Sequence, residues 1–107
     1  MALEINDTNL EEILKEKELT ILDFWAEWCG PCKMLGPVID ELVKDNMNND
    51  KVSIGKVNVD VNGALVVKYG VRGIPTILFM KDGEVIDRVV GFKNKVDLQS
   101  RINELLS

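Results

Sequence analysis

Trp28-Cys29-Gly30-Pro31-Cys32-Lys33 stands just after a nearly continuous apolar run, Leu19 to Trp25. It stands just before Leu35, Val38, Ile39, Leu42 and Val43, which recur at helical spacing. An apolar run of strand length reads as a strand buried on both faces, as a central strand is under helices. The spaced apolar residues read as an amphipathic helix starting at Pro31 and Cys32. The two cysteines therefore mark the point where a buried strand hands over to a helix. Pro37 falls inside the helical pattern and is expected to kink it.

Toward the N-terminus, Leu3 to Ile5 reads as a short edge strand. Thr8 is expected to open a helix, with Glu11 at the capping-box spacing and Leu10, Ile13 and Leu14 as its apolar stripe. After the central helix, Val52 to Asp60 reads as a strand. Asn62 to Tyr69 reads as a short helix stopped by Gly70. Thr76 to Met80 and Val85 to Val90 read as two strands turned back at Asp82-Gly83. Gly91 ends the second of them. Asn94 can cap a last helix with Leu98, Ile102 and Leu105 facing inward. The order is β-α-β-α-β-α-β-β-α. Strands joined through helices imply parallel pairing, and the closing hairpin adds an antiparallel pair. The expected class is α/β, a single domain over residues 1–107, with a mixed five-stranded sheet flanked by four helices on both faces.

Composition narrows the function. At 107 residues the chain suits one compact domain, and 46% hydrophobic residues is an ordinary globular value that argues against disorder. A formal net charge of −5 argues against a general nucleic-acid binder or an anionic membrane surface. No apolar run reaches the length of a membrane span, and Met1-Ala2-Leu3-Glu4 does not begin like a signal peptide. The expected compartment is the cytoplasm, where thiols are kept reduced. With two cysteines and no histidine, one chain cannot build a four-ligand Cys/His zinc site or a histidine-dependent catalytic unit. No metal and no bound cofactor are expected.

Two-sulfur chemistry suits the position of the motif. A helix N-terminus offers free N–H groups and a positive dipole end, which stabilise the thiolate that attacks in disulfide exchange. Cys29 at the tip is expected to be the nucleophile. Cys32, one turn in and expected to be more buried, would resolve the mixed disulfide. Pro31 suits the first helical turn, where its missing N–H costs nothing. A structural disulfide, two idle buried thiols and half of a metal site shared between chains are the alternatives. So short a loop constrains the unfolded chain little, which weakens the first.

Two further residues are out of place. Asp23 is a carboxylate within the buried run, and burial of an unpaired acid is costly and raises its pKa. The alternative is an acid at a strand end that reaches solvent. Lys56 shares a strand face with Val52 and Ile54; the bland reading is a snorkelling lysine with an exposed head.

Phe24-Trp25-Ala26-Glu27-Trp28-Cys29-Gly30-Pro31-Cys32-Lys33 resembles the active-site signature of the thioredoxin family. A Cys-x-x-Cys pair beside a βαβ pattern is itself a recognised sign of such folds. The resemblance spans essentially the whole chain, with Lys56, Tyr69-Gly70, Gly73-Ile74-Pro75-Thr76, Asp82-Gly83 and Gly91 in the family order. One departure is Gly63-Ala64-Leu65, where many members have a proline near the helix start. The resemblance implies the thioredoxin fold and a general protein-disulfide reductase, active as a monomer on disulfide-containing proteins and re-reduced by a separate thioredoxin reductase. It implies that Asp23 lies behind Cys32 and takes its proton, with Lys56 near Asp23, and that Gly30 and Pro31 tune the redox couple. It implies a cis bond at Ile74-Pro75. Trp28, Gly70, Gly73, Ile74, Pro75 and Gly91 would then form a flat apolar docking patch. Trp25 is expected to pack beneath it. The chain has no Gly-rich dinucleotide fingerprint, which is why the reductase must be separate. Two rival readings compete with it: a thioredoxin-like interaction subunit without redox turnover, and a dedicated oxidant.

Overall fold

A computed structural model describes residues 1–107. Its elements are β1 (Leu3–Glu4), α1 (Leu10–Leu14), β2 (Leu19–Trp25), α2 (Gly30–Asp45), β3 (Val52–Asn58), α3 (Gly63–Lys68), β4 (Thr76–Lys81), β5 (Glu84–Val90) and α4 (Lys95–Leu106). The strands form one open sheet in the order β1-β3-β2-β4-β5. β1 and β2 run parallel to β3, whereas β4 is antiparallel to both β2 and β5. β2 lies at the centre, as its apolar run requires.

Side-chain alternation along the strands divides the core into two layers. Leu19 and Ile21 of β2, Ile54 of β3 and Phe79 of β4 pack under α2 and α4, against Leu35, Ile39, Leu42, Leu98 and Ile102. Leu22, Phe24, Val57 and Leu78 point the other way, onto Leu10, Ile13 and Leu65 of α1 and α3. By this alternation Asp23 shares the face of Leu19 and Ile21, the face that α2 covers. Lys56 and Trp25 fall on it too.

Several boundaries differ from the sequence reading. Thr8 does not open α1, which begins at Leu10 with Asn9 as its N-cap residue. Asn6 is the reason: its side-chain oxygen accepts from the amides of Thr8 and Asn9 at 2.9 and 3.0 Å, and from the Thr8 hydroxyl. That local turn outcompetes the capping box. Asn62 precedes α3 but makes no cap bond to it. Instead Asp7 reaches across from the N-terminal segment, its Oδ1 accepting the Leu65 amide at 3.1 Å, while Asn62 Oδ1 accepts the Asp7 amide at 3.1 Å. α2 continues to Asp45 beyond Pro37, which has no amide to give the Lys33 carbonyl one turn back. The β4–β5 turn places Asp82 and Gly83 at φ of 52° and 80°, the left-handed pair of a tight hairpin.

Candidate active site

Everything singled out around the cysteines lies at one end of the sheet, where β2 ends and β4 begins. Cys29 is the N-cap residue of α2, with extended backbone, and Gly30 and Pro31 form the first turn. Pro31 costs α2 nothing there. Cys29 and Cys32 are joined by a disulfide, with their Cα atoms 5.2 Å apart. The Cys32 amide donates to Cys29 Sγ at 3.2 Å. The same amide, at the positive end of the helix, favours negative charge on that sulfur once the bond is reduced.

Burial does not distinguish the two cysteines as expected. Cys29 is 5% exposed and Cys32 4%, so the second is not appreciably deeper than the first. Ala26 clusters with the two cysteines, and Trp25, Val59 and Ile74 pack against that cluster. Position separates them instead: Cys29 Sγ lies 3.8 Å from the Ile74 carbonyl oxygen, at the edge of the Ile74–Pro75 bend. The Ile74–Pro75 bond is cis. The Thr76 hydroxyl donates to the Gly73 carbonyl, and the Gly91 amide donates to the Pro75 carbonyl at 2.8 Å. These bonds place Gly73, Ile74, Pro75 and Gly91 beside Cys29. Gly91 has φ of 97° and Gly70 φ of 60°, both in the left-handed region that suits glycine. Gly70 serves the end of α3.

Asp23 is fully buried, which rules out a strand-end carboxylate reaching solvent. Neither of its oxygens has a hydrogen-bond partner. Burial pushes its pKa from 3.8 up to about 7, against the opposing pull of the Lys56 charge. Asp23 and Lys56 are direct register partners on β2 and β3. The Lys56 ammonium nonetheless lies over the Trp25 ring, 4.8 Å from its centroid.

Trp28 is 68% exposed, yet its indole is fixed. Nε1 donates to both carboxylate oxygens of Asp60, at 3.1 and 3.2 Å. Asn58 in turn accepts the Asp60 amide at 3.0 Å. Sequence reading missed Asp60, since an acid just past a strand carries no signal until the fold brings it to Trp28. It also missed Val90 and Phe92, exposed apolar residues on either side of Gly91.

A disulfide across the first turn of a helix, with one sulfur set against a neighbouring bend, defines a thiol–disulfide oxidoreductase. The thioredoxin family model matches residues 1–104. The chain is 51% identical over 88 residues to a thioredoxin of Bacillus subtilis (strain 168), covering 82% of this chain and 83% of that protein. It is 47% identical over 104 residues to a thioredoxin of Haemophilus influenzae, covering 96% and 95%. A thioredoxin of Rickettsia felis is 44% identical over 105 residues, covering 97% and 98%. The chain belongs to the thioredoxin family and is a protein-disulfide oxidoreductase.

Proposed function

We propose that the protein works in the cytoplasm as a monomeric, single-domain reductant of disulfide-containing proteins, with Cys29 as nucleophile, Cys32 as resolver and Asp23 as proton acceptor. The observation that carries this reading is the Cys29–Cys32 disulfide at the head of α2, with Cys29 Sγ against the Ile74 carbonyl. In the reduced protein the Cys29 thiolate attacks one sulfur of a partner disulfide. The partner's S–S bond breaks, one partner thiolate leaves, and a mixed disulfide forms. Cys32 then gives its proton to Asp23 and attacks Cys29 Sγ. The intramolecular disulfide forms, the second partner thiolate leaves, and two electrons have passed to the partner.

Asp23 suits the proton step because an acid with a pKa of about 7 is both available and effective near neutral pH. Lys56 lowers that value and so favours the ionised form that can accept a proton. Gly30 and Pro31 tune the couple through the helix turn that spans the two sulfurs. Trp28, Gly73, Ile74, Pro75 and Gly91 form the docking surface, with the backbone of Ile74 pairing an extended substrate segment. A separate thioredoxin reductase restores the dithiol. No helix is long and apolar enough to cross a membrane.

The test is insulin-disulfide reduction with dithiothreitol as electron source. Wild-type protein accelerates it, and Cys29→Ser abolishes the acceleration. Cys32→Ser accumulates partner proteins as mixed disulfides on Cys29. Activity surviving in Cys29→Ser would refute the assignment, and no acceleration by wild type would favour an interaction subunit.

A further inference from the structure

The charge of the chain is unevenly divided. Residues 1–60 hold 6 Lys and Arg against 13 Asp and Glu, whereas residues 61–107 hold 7 against 5. From Val61 to Lys81 there are cations at Lys68, Arg72 and Lys81 and no carboxylate at all. That stretch contains the Ile74–Pro75 bend. An acidic protein thus carries its longest acid-free run through the Ile74–Pro75 bend.

Three exposed cations sit next to residues already placed around Cys29. Arg72 precedes Gly73, whose carbonyl is held by Thr76. Lys93 follows Phe92, fixed beside the bend by the Gly91-to-Pro75 bond. Lys33 follows Cys32 in the first turn of α2, its amide donating to the Cys29 carbonyl at 3.2 Å. None of the three makes an ion pair, although Lys81, Lys95 and Arg101 do. Of the acids near Cys29 in the chain or fold, Asp60 is bonded to the Trp28 indole and Glu27 precedes Trp28 in sequence. Val90, which abuts Gly73, and Phe92, which follows Gly91, are 61% and 43% exposed. An extended segment laid along Ile74 would meet this apolar pair and uncompensated positive charge together.

We propose that the protein selects disulfide partners whose reactive cysteine lies in an acidic segment with an adjacent apolar residue, through Arg72, Lys93 and Lys33 flanking the Ile74–Pro75 bend and through Val90 and Phe92. Opposite charges raise the rate of productive encounter, and like charges suppress it. The proposal rests on the disulfide reduction assigned to Cys29 and names its preferred substrate class.

The experiment measures second-order oxidation rates of the reduced protein by stopped-flow fluorescence. The probes are three cystine-linked peptides of one length with the same apolar neighbour, flanked by two Glu, two Gln or two Lys. Neutral 2-hydroxyethyl disulfide serves as the control. At low salt the Glu peptide is expected to react about tenfold faster than the Lys peptide, and about 0.5 M salt should bring the ratio near one. The double variant Arg72→Gln, Lys93→Gln should reduce the low-salt ratio to about twofold. Equal rates for the three peptides, a preference for Lys, or a ratio unmoved by the double variant would overturn the selection. Failure to reduce 2-hydroxyethyl disulfide would instead overturn the reductase reading beneath it.

Discussion

Asp23 and Lys56 occupy the same rung of the β2–β3 ladder, yet no hydrogen bond or ion pair joins them. The ammonium lies over Trp25 while the carboxylate is fully buried. The acid is thus stabilised only from a distance, and its burial outweighs the charge of its neighbour. A closer pair would hold Asp23 ionised and make it a poor proton acceptor near neutral pH.

Asp23→Asn is expected to stabilise the fold near pH 8 and to slow disulfide reduction. The folded-state pKa of about 7 exceeds the unfolded value of 3.8, so the folded chain prefers the protonated acid. Its stability contribution is fully present below the unfolded value and is lost as pH rises through about 7. The gain from the amide is about 2–4 kcal/mol at pH 8 and close to nothing at pH 3. Urea titrations at both pH values check the sign. Single-turnover reduction at pH 7 should be slower in the variant; an unchanged rate would remove Asp23 from the proton step.

Lys56→Gln is expected to raise the Asp23 pKa further, since the lost charge is the one that lowers it. Two costs then separate by pH. Loss of the contact with Trp25 removes about 0.5–1 kcal/mol at any pH. Loss of the field on Asp23 adds a penalty only where the acid is ionised, so the variant should lose more stability at pH 8 than at pH 3. Equal losses at the two pH values would mean Lys56 does not act on Asp23.

Asp60→Ala should release the Trp28 indole. In a Trp25→Phe background, Trp28 fluorescence anisotropy should fall, and insulin reduction should slow by about two- to fivefold as the docking surface loses its fixed aromatic. Asp60→Asn keeps an oxygen for Nε1 and should restore both readouts. Failure of that rescue would point to the charge of Asp60 rather than its bond to Trp28.

Asp7→Ala should destabilise the protein by about 1 kcal/mol, the usual cost of an N-cap, although Asp7 lies 58 residues from the helix amide it caps. Combined with Asn62→Ala the effects should be non-additive, because Asn62 holds the Asp7 backbone. Strict additivity in denaturant titrations would separate the two contacts.

Gly55→Ala should cost about 1–3 kcal/mol. A Cβ there would stand 2.7 Å from Ile5 Cγ1 and 3.1 Å from the carbonyl oxygen of Leu3, the register partner of Gly55 on β1. Thermal unfolding measures it.

The sequence by itself determined the element order, the central place of β2 and the two sulfurs at the head of α2. It did so because apolar periodicity and turn residues act locally: Leu19 to Trp25 has one way to bury both faces, and Asp82-Gly83 favours one kind of turn. It also marked Asp23, because an acid in a buried run is conspicuous at once. Thr8 fails as a cap because another local contact, the Asn6 turn, takes both its amide and its hydroxyl. What the tertiary structure alone decided lies between residues distant in the chain. Asp60 meets Trp28 across 32 residues, Asp7 caps Leu65 across 58, and Ile74 comes to Cys29 across 45. The near-equal burial of Cys29 and Cys32 belongs with these, since helix position sets direction whereas exposure is set by what packs against the pair, here Trp25, Val59 and Ile74. Lys56 is the clearest case. Its strand face was readable, but whether its charge paired with Asp23 or lay on Trp25 depended on three side chains sharing one side of a sheet.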